Sequence, residues 1–568
     1  MAMSSMSSPA EQRRGSSFLA QWIGIDARAL AWFRVALGAI LLVDLTIRSH
    51  DLAAMYTDAG FFSVADAREY FSRTGDAWRW SLHLLSGSVD FQALLFAAAA
   101  IFAGMMLVGY RTRLATVVSW VLLTSLHNRS PLLLNGGDVL LRMLLFWGMF
   151  LPLGRAWSLD ALRRARRWSA GNQQDVGAAS PTVVSVATAA LLIQICVMYA
   201  ATGLYKLQAD PWRYGVGMIR SLAYEPYSRP MADVVMTQPW LVRGLGVAVP
   251  WMEIVAPLLL LLPWVGRYAR LPVVAALALM HVGIEMCMTV GLFSYVSLIG
   301  LIAFLPASVF DSRLVRRMAG YLVPKVREPQ EEAEVAVESP ATATADPPAI
   351  PVGANGSRRW QRAGNALSIL AEAVCLFFLV YVVAWNASSL VGKHTAAKWL
   401  MPERLRWIGN ATAVRQKWNM FANPSGNNGW YVARATLRDV KAKDVDLLRG
   451  GAAVDESKPD RPARLFPNHR WRKLYRNLVP TDNRRPSREL VHQRLAEYLC
   501  RQWNQRHEPD RQVVRMELFY ILPEVGADAE NGGTLTVLVA AVDLRPEEES
   551  GNFADALRNI KRGESPLP

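Results

Sequence analysis

Nine stretches of the chain approach bilayer-spanning length, at about 29–47, 91–109, 114–130, 138–153, 181–204, 241–264, 271–288, 291–308 and 365–387. In hydrocarbon every backbone polar group must be satisfied within the segment, so such runs have one cheap conformation, the helix. The pattern predicts an all-α polytopic membrane bundle of about eight core helices plus a ninth. The third and fourth runs are broken by polar residues. Of the 568 residues, 52% are hydrophobic and 19% charged, against roughly 25% charged in a soluble protein. Disorder, collagen and disulfide-scaffold classes are excluded. Four cysteines imply no framework, and Cys196, Cys287 and Cys375 fall in apolar runs.

The basic residues set the orientation. Arg111 and Arg113 lie between runs two and three, and Arg155, Arg163, Arg164, Arg166 and Arg167 follow run four. Arg267 and Arg270 separate runs six and seven, and Arg313, Arg316, Arg317, Lys325, Arg327, Arg358, Arg359 and Arg362 lie between runs eight and nine. These are alternate loops, which the positive-inside rule places in the cytoplasm. The N-terminus is then cytoplasmic and everything after run nine is extracytoplasmic. No cleavable signal peptide is expected, since the first apolar run has no small-residue cleavage site behind it. The net charge of +15 therefore reports topology, and nucleic-acid binding is disfavoured.

The expected divisions are a cytoplasmic N-terminal segment (1–28), a membrane domain (29–310), a cytoplasmic linker (311–364), the ninth helix (365–387) and a C-terminal soluble α+β domain (388–568). The linker contains EPQEEAEVAVESPATATADPPAIP, a composition too poor in apolar residues to build a core. In the tail, Trp430–Leu437, Val513–Leu522 and Leu535–Val542 read as strands, and Arg488–Arg506 has helical periodicity. The tail carries no catalytic motif. Trp418, Phe421, Trp430 and Trp471 are either core aromatics or a binding surface. The basic run His469–Lys473 reads as a solvated face, with lipid headgroups or an acidic partner as the other reading.

Ionisable groups inside a bilayer are costly and are functional candidates by default. Lys206, in GLYKLQADPW (Gly203–Trp212), falls at the outer end of run five. It reads equally as a desolvated base and as a snorkelling anchor. Asp138 and Arg142 share one helical face four residues apart, as an ion pair or as the lining of a polar cavity. Asn135–Gly136–Gly137 before them could present backbone donors to an anion, or simply turn. His281 and Glu285 are also four apart, a spacing that suits a hydrogen-bonded pair, a relay or two ligands of a metal site lacking a visible third. No metal is called for. Glu253, Arg34 and Asp44 lie within apolar runs.

These stretches carry a resemblance. LAWFRVALGAILLVDL (Leu30–Leu45), GMMLVGYRTRLATVVSWV (Gly104–Val121), FLPLGRAWSLD (Phe150–Asp160), GLYKLQADPW (Gly203–Trp212) and HVGIEMCMTVGLFSYVSL (His281–Leu298) follow in order over roughly 25–310. Together they resemble the HTTM family, the membrane domain shared by vitamin K-dependent γ-glutamyl carboxylase and many bacterial proteins. The tail has no such likeness. In the carboxylase a lysine in the matching segment deprotonates vitamin K hydroquinone; oxygen makes the quinol an alkoxide base, which removes a glutamate γ-proton before carbon dioxide is captured. The resemblance implies that role for Lys206. The carboxylase's catalytic histidine falls near Gly137, where this chain has none, and His127 is ten residues upstream. Glutamate carboxylation is therefore not implied, and whether the chain is an enzyme stays open.

Two readings of function result. One is a membrane-embedded enzyme acting on a quinol or a secreted peptide, with Lys206 as base and Asp138, His281 and Glu285 as further candidates; a quinol is the one cofactor suggested, and none is required. The other is a non-catalytic membrane protein that binds, matures or exports a peptide partner. A transporter is disfavoured, because no inverted repeat is visible. The resemblance and the Ala- and Arg-rich composition suggest a multi-pass protein of a bacterial inner membrane.

Overall fold

The computed structural model describes residues 18–74, 78–169, 182–263, 266–312, 354–392, 399–424, 428–439, 443–480, 486–523 and 534–545. Most of the expected N-terminal segment and linker lies outside these. The fold is mostly helical. Six helices contain stretches long and apolar enough to cross a membrane: α1 (Ala27–Ser49), α2 (Val89–Val108), α5 (Val186–Gln208), α6 (Pro239–Leu261), α7 (Gly266–Cys287) and α9 (Ala354–Val391). The other three expected runs are α3 (Thr112–Arg129), α4 (Gly136–Gly148) and α8 (Phe293–Leu301). They are shorter or more polar than the six, and most of their residues are buried. Nearly every residue of α4 is buried, and helices enclosed in this way tolerate polar groups. The ninth helix begins at Ala354, earlier than expected, so Arg358, Arg359 and Arg362 lie on it.

The bundle has two distinct ends. At one, buried Arg34 donates to the carbonyls of Met106, Leu107 and Trp157 at 2.7, 2.7 and 2.6 Å. Asp160 there accepts from the backbone of Arg111 and Thr112, Arg270 donates to the Gln21 and Trp22 carbonyls, and Arg28 pairs with Asp311. Gly109 ends α2 with a left-handed turn (φ 74°), and a Cβ at that position would stand 2.5 Å from the Arg34 guanidinium. This is the end that carries the basic loops.

The tail packs on the opposite end. Its five-stranded antiparallel sheet, in order β3-β2-β1-β4-β5, comprises β1 (Trp430–Leu437), β2 (Val445–Asp446), β3 (Ala452–Ala453), β4 (Val513–Pro523) and β5 (Thr534–Asp543). Helices α10 (His469–Leu478) and α11 (Pro486–Asn504) join it to the bundle. One apolar cluster contains Tyr56, Phe61, Phe62, Phe96, Leu126 and Leu133 of the membrane half together with Trp471, Leu474, Leu495 and Met516 of the tail. The tail is therefore no detached module. Trp418, Trp430 and Trp471 are buried core aromatics, whereas Phe421 is half-buried and lines cavities.

His83, between the spans, is buried and shares a 2.7 Å hydrogen bond with Gln92. Burial pushes its pKa down to about 4 from the usual 6.5. The unfolded chain takes up this proton below pH 6.5 and the folded chain does not, so this contribution is complete above 6.5 and is lost as pH falls toward 4. The loss reaches on the order of 3 kcal/mol. Thermal unfolding from pH 7 to 4.5 is expected to be less acid-sensitive by this increment in His83→Gln; identical pH profiles would refute the assignment.

Candidate functional site

Two polar assemblies lie inside the bundle. The first joins α1, α3 and α4 to α10 of the tail. Asp138 opens α4 in a capping box: Asn135 Oδ1 accepts from the Gly137 and Asp138 amides, and Asp138 Oδ2 accepts from the Asn135 amide at 2.7 Å. The Asn135, Gly137 and Asp138 amides are thus spent on the cap rather than offered to an anion. Asp138 does not pair with Arg142. Arg48 reaches Asp138 Oδ1 at 2.7 Å, and Arg470 bridges both Asp138 oxygens at 2.6 and 2.8 Å. Asp44 accepts from Arg48 at 2.7 Å and from Arg470 at 2.6 Å. Arg142 donates instead to the Ala413 and Arg415 carbonyls and meets His127 at 3.3 Å.

The basic run His469–Lys473 is consequently not a solvated face, since Arg470 sits fully buried between two carboxylates. His127, distant from Asp138 in sequence, is 3.6 Å from it in the fold. Asp44, His127 and Asp138 approach one another as metal ligands would. Their carboxylate oxygens already accept from two guanidiniums, so a cation would have to displace both. The arrangement is a charge-balanced clamp.

The second assembly is a cavity of about 450 Å³ between α5, α6 and α7, on the side where Met420 and Phe421 fold against them. Tyr199, Thr202 and Lys206 line it, at the i, i+3, i+7 spacing that puts them on one face of α5. Lys206 Nζ meets Glu253 Oε1 at 2.6 Å, both side chains being buried. Gly203 makes this possible: a Cβ there would lie 2.7 Å from the Pro250 carbonyl oxygen, so α5 and α6 touch one turn below the ion pair. Lys206 Nζ lies 5.2 Å from the centre of the Trp212 ring. Tyr199 and His281 share a 2.7 Å hydrogen bond on the same wall. Glu253 Oε2 and His281 Nδ1 are buried with no hydrogen-bond partner, so the cavity has polar capacity that the described residues leave unused. The remaining lining is apolar, and its rim includes Ala276, Leu279 and Gly283, exposed on the lipid-facing helix α7.

The fold thus gathers Lys206 and His281 from among the expected site residues and adds Glu253. It separates Asp138, which belongs to the clamp, and Glu285, which pairs with Arg229 at 2.6 Å outside this lining. His281 and Glu285 form neither a pair nor a shared ligand set. Sequence reading named Phe421 only as one of four aromatics that could be core or binding surface, and missed Tyr199, Trp212 and Met420. Tyr199 was legible from its spacing to Lys206, but Met420 and Phe421 come from beyond the ninth helix, and nothing local placed them at this cavity.

No curated protein and no solved structure matches the chain. The family model of the HTTM domain matches residues 23–308, just over half the chain. With several apolar spans, and with Lys206, Glu253 and His281 all inside the matched segment, the chain is a membrane protein and belongs to the HTTM family.

Proposed function

We propose that the protein is a membrane-embedded enzyme that removes a proton from a lipid-soluble quinol, with Lys206 as base. The observation that carries this reading is the buried Lys206–Glu253 pair in an apolar cavity whose rim lies on a lipid-facing helix. An apolar ring entering from the bilayer loses little on transfer into such a cavity. At low dielectric a proton shared between an amine and a carboxyl can rest on either. With that proton on Glu253, the Lys206 amine has a free lone pair. It accepts the phenolic proton, the O–H electron pair stays on oxygen, and the quinolate faces the new ammonium. Net charge in the cavity is unchanged. His281 and Tyr199 are placed to orient the ring oxygens. Asp138 acts at a distance, by holding the tail against the bundle.

The two ends of the bundle support the orientation read from the basic loops, N-terminus cytoplasmic and tail extracytoplasmic; the bacterial inner membrane is carried by the family resemblance and the composition alone. All nine expected runs, the shorter three included, then count as crossings, with the linker ending where α9 begins at Ala354 and the tail domain following its end at Val391.

The test is menaquinol or vitamin K hydroquinone added to wild type and Lys206→Arg in detergent. Arginine keeps the charge but does not deprotonate. Wild type is expected to bind and to give the quinolate absorption. The variant is expected to lose at least about 100-fold of the deprotonation rate while remaining folded. Failure of wild type to bind or deprotonate any quinol overturns the proposal. The second reading, a non-catalytic binder of a peptide partner, is then favoured by the docking of the extracytoplasmic tail on the outer loops.

A further inference from the structure

A second cavity, of about 470 Å³, lies where the tail meets the bundle. It is walled by α10 on one side and by the start of α4 and the loop before α8 on the other. It touches the quinol cavity along a shared wall of Phe293, Met420 and Phe421, but its chemistry is the opposite. Lys417, His469, Lys473 and Arg476 line it, and no Asp or Glu does among the described residues.

Lys473 and Arg476 stand three apart on one face of α10 and are only partly exposed. No ion pair engages either among the described residues; Arg476 rests instead on the Tyr224 ring, 5.1 Å from its centre. His469 Nε2 is buried without a hydrogen-bond partner. Burial, with Arg470 beside it, pushes the His469 pKa down to about 4, so the ring is neutral near pH 7 and can give a hydrogen bond. Burial and neighbouring Arg476 also pull the Lys473 ammonium below its ordinary range. Asp138, the nearest buried carboxylate on α4, is already held by Arg48 and Arg470.

Half-buried cations of one sign, without a counter-charge, focus potential in a cleft and favour an anion there. Closely set lysine and arginine donors suit the several oxygens of a phosphate. We infer that this cavity is a phosphate-binding site at the outer membrane surface, filled by the phosphate of an anionic lipid headgroup or by a free phosphate. The inference does not depend on Lys206 or on quinol chemistry.

The experiment uses the full chain in phosphatidylcholine nanodiscs. Its thermal midpoint is followed as inorganic phosphate is added at constant ionic strength, and again in discs where phosphatidylglycerol replaces part of the phosphatidylcholine. Wild type is expected to gain about 5 °C at saturation with whichever source is bound, and Lys473→Gln/Arg476→Gln to lose that gain. A shift with free phosphate identifies a soluble ligand, and one with phosphatidylglycerol alone identifies a headgroup. Should the double variant not fold, Lys417→Gln, on an exposed side chain, is read the same way, with a weakened shift. The inference is overturned if neither probe shifts wild type, if the variants shift equally, or if a glutamate-rich peptide stabilises wild type when both phosphate probes do not.

Discussion

Arg470→Ala is expected to lower the unfolding free energy by about 3–5 kcal/mol, the cost of removing one partner from a buried ion cluster. The reason is charge balance. Asp44 and Asp138 face Arg48 and Arg470, all with side chains almost wholly buried. Two carboxylates and two guanidiniums leave no net charge, and their oxygens are hydrogen-bonded as well. Without Arg470, two acids share one guanidinium in a setting that cannot solvate the excess. The Leu133 carbonyl loses a donor too. Arg470→Lys is expected to recover only part of the loss, because an ammonium cannot replace a planar fork spanning two carboxylates. Arg470→Ala/Asp44→Asn is expected to be more stable than Arg470→Ala alone, since it removes the surplus charge. Thermal unfolding in detergent, with limited proteolysis of the tail, reads all three. An Arg470→Ala protein within about 1 kcal/mol of wild type would mean that the clamp does not hold the tail.

The clamp also marks where sequence reading stopped. Local signals were reliable for what they encode. Alternation gave the strand at Trp430–Leu437 with its observed ends, and the long apolar runs gave helices. Spacing on one helix says which residues share a face, but not what that face meets. Asp138 and Arg142 share a face of α4, yet the partner of Asp138 is a guanidinium 332 residues away. The run His469–Lys473 looks solvated because its counter-charges are on other helices. His127 looked too distant because separation along the chain was counted in place of the antiparallel return of α3 and α4. The same limit applied to the cavity. Its α5 face was readable from Tyr199 to Lys206, while the Met420 and Phe421 wall depended on a segment after the ninth helix folding back into the bundle.

The Lys206–Glu253 pair is where stability and function can be separated. Lys206→Met and Glu253→Leu are each expected to cost about 3 kcal/mol, the lower end of the range for breaking a buried pair, because the group left behind can shed its charge by moving one proton. The double variant Lys206→Met/Glu253→Leu is expected to come back to within about 1 kcal/mol of wild type, since apolar side chains of similar volume often replace a buried pair at no net cost. The cavity is already apolar, and α5 and α6 still meet at Gly203. A pair kept only for packing would regain everything in the double variant, quinol deprotonation included. A pair that moves a proton would regain stability alone, because no amine remains to accept one. Measuring thermal midpoint and quinolate formation on the same four proteins separates these cases. Full recovery of both would make Lys206 a structural residue, whereas recovered folding without quinolate leaves proton transfer as the reason for a lysine in a cavity that an apolar side chain fills equally well.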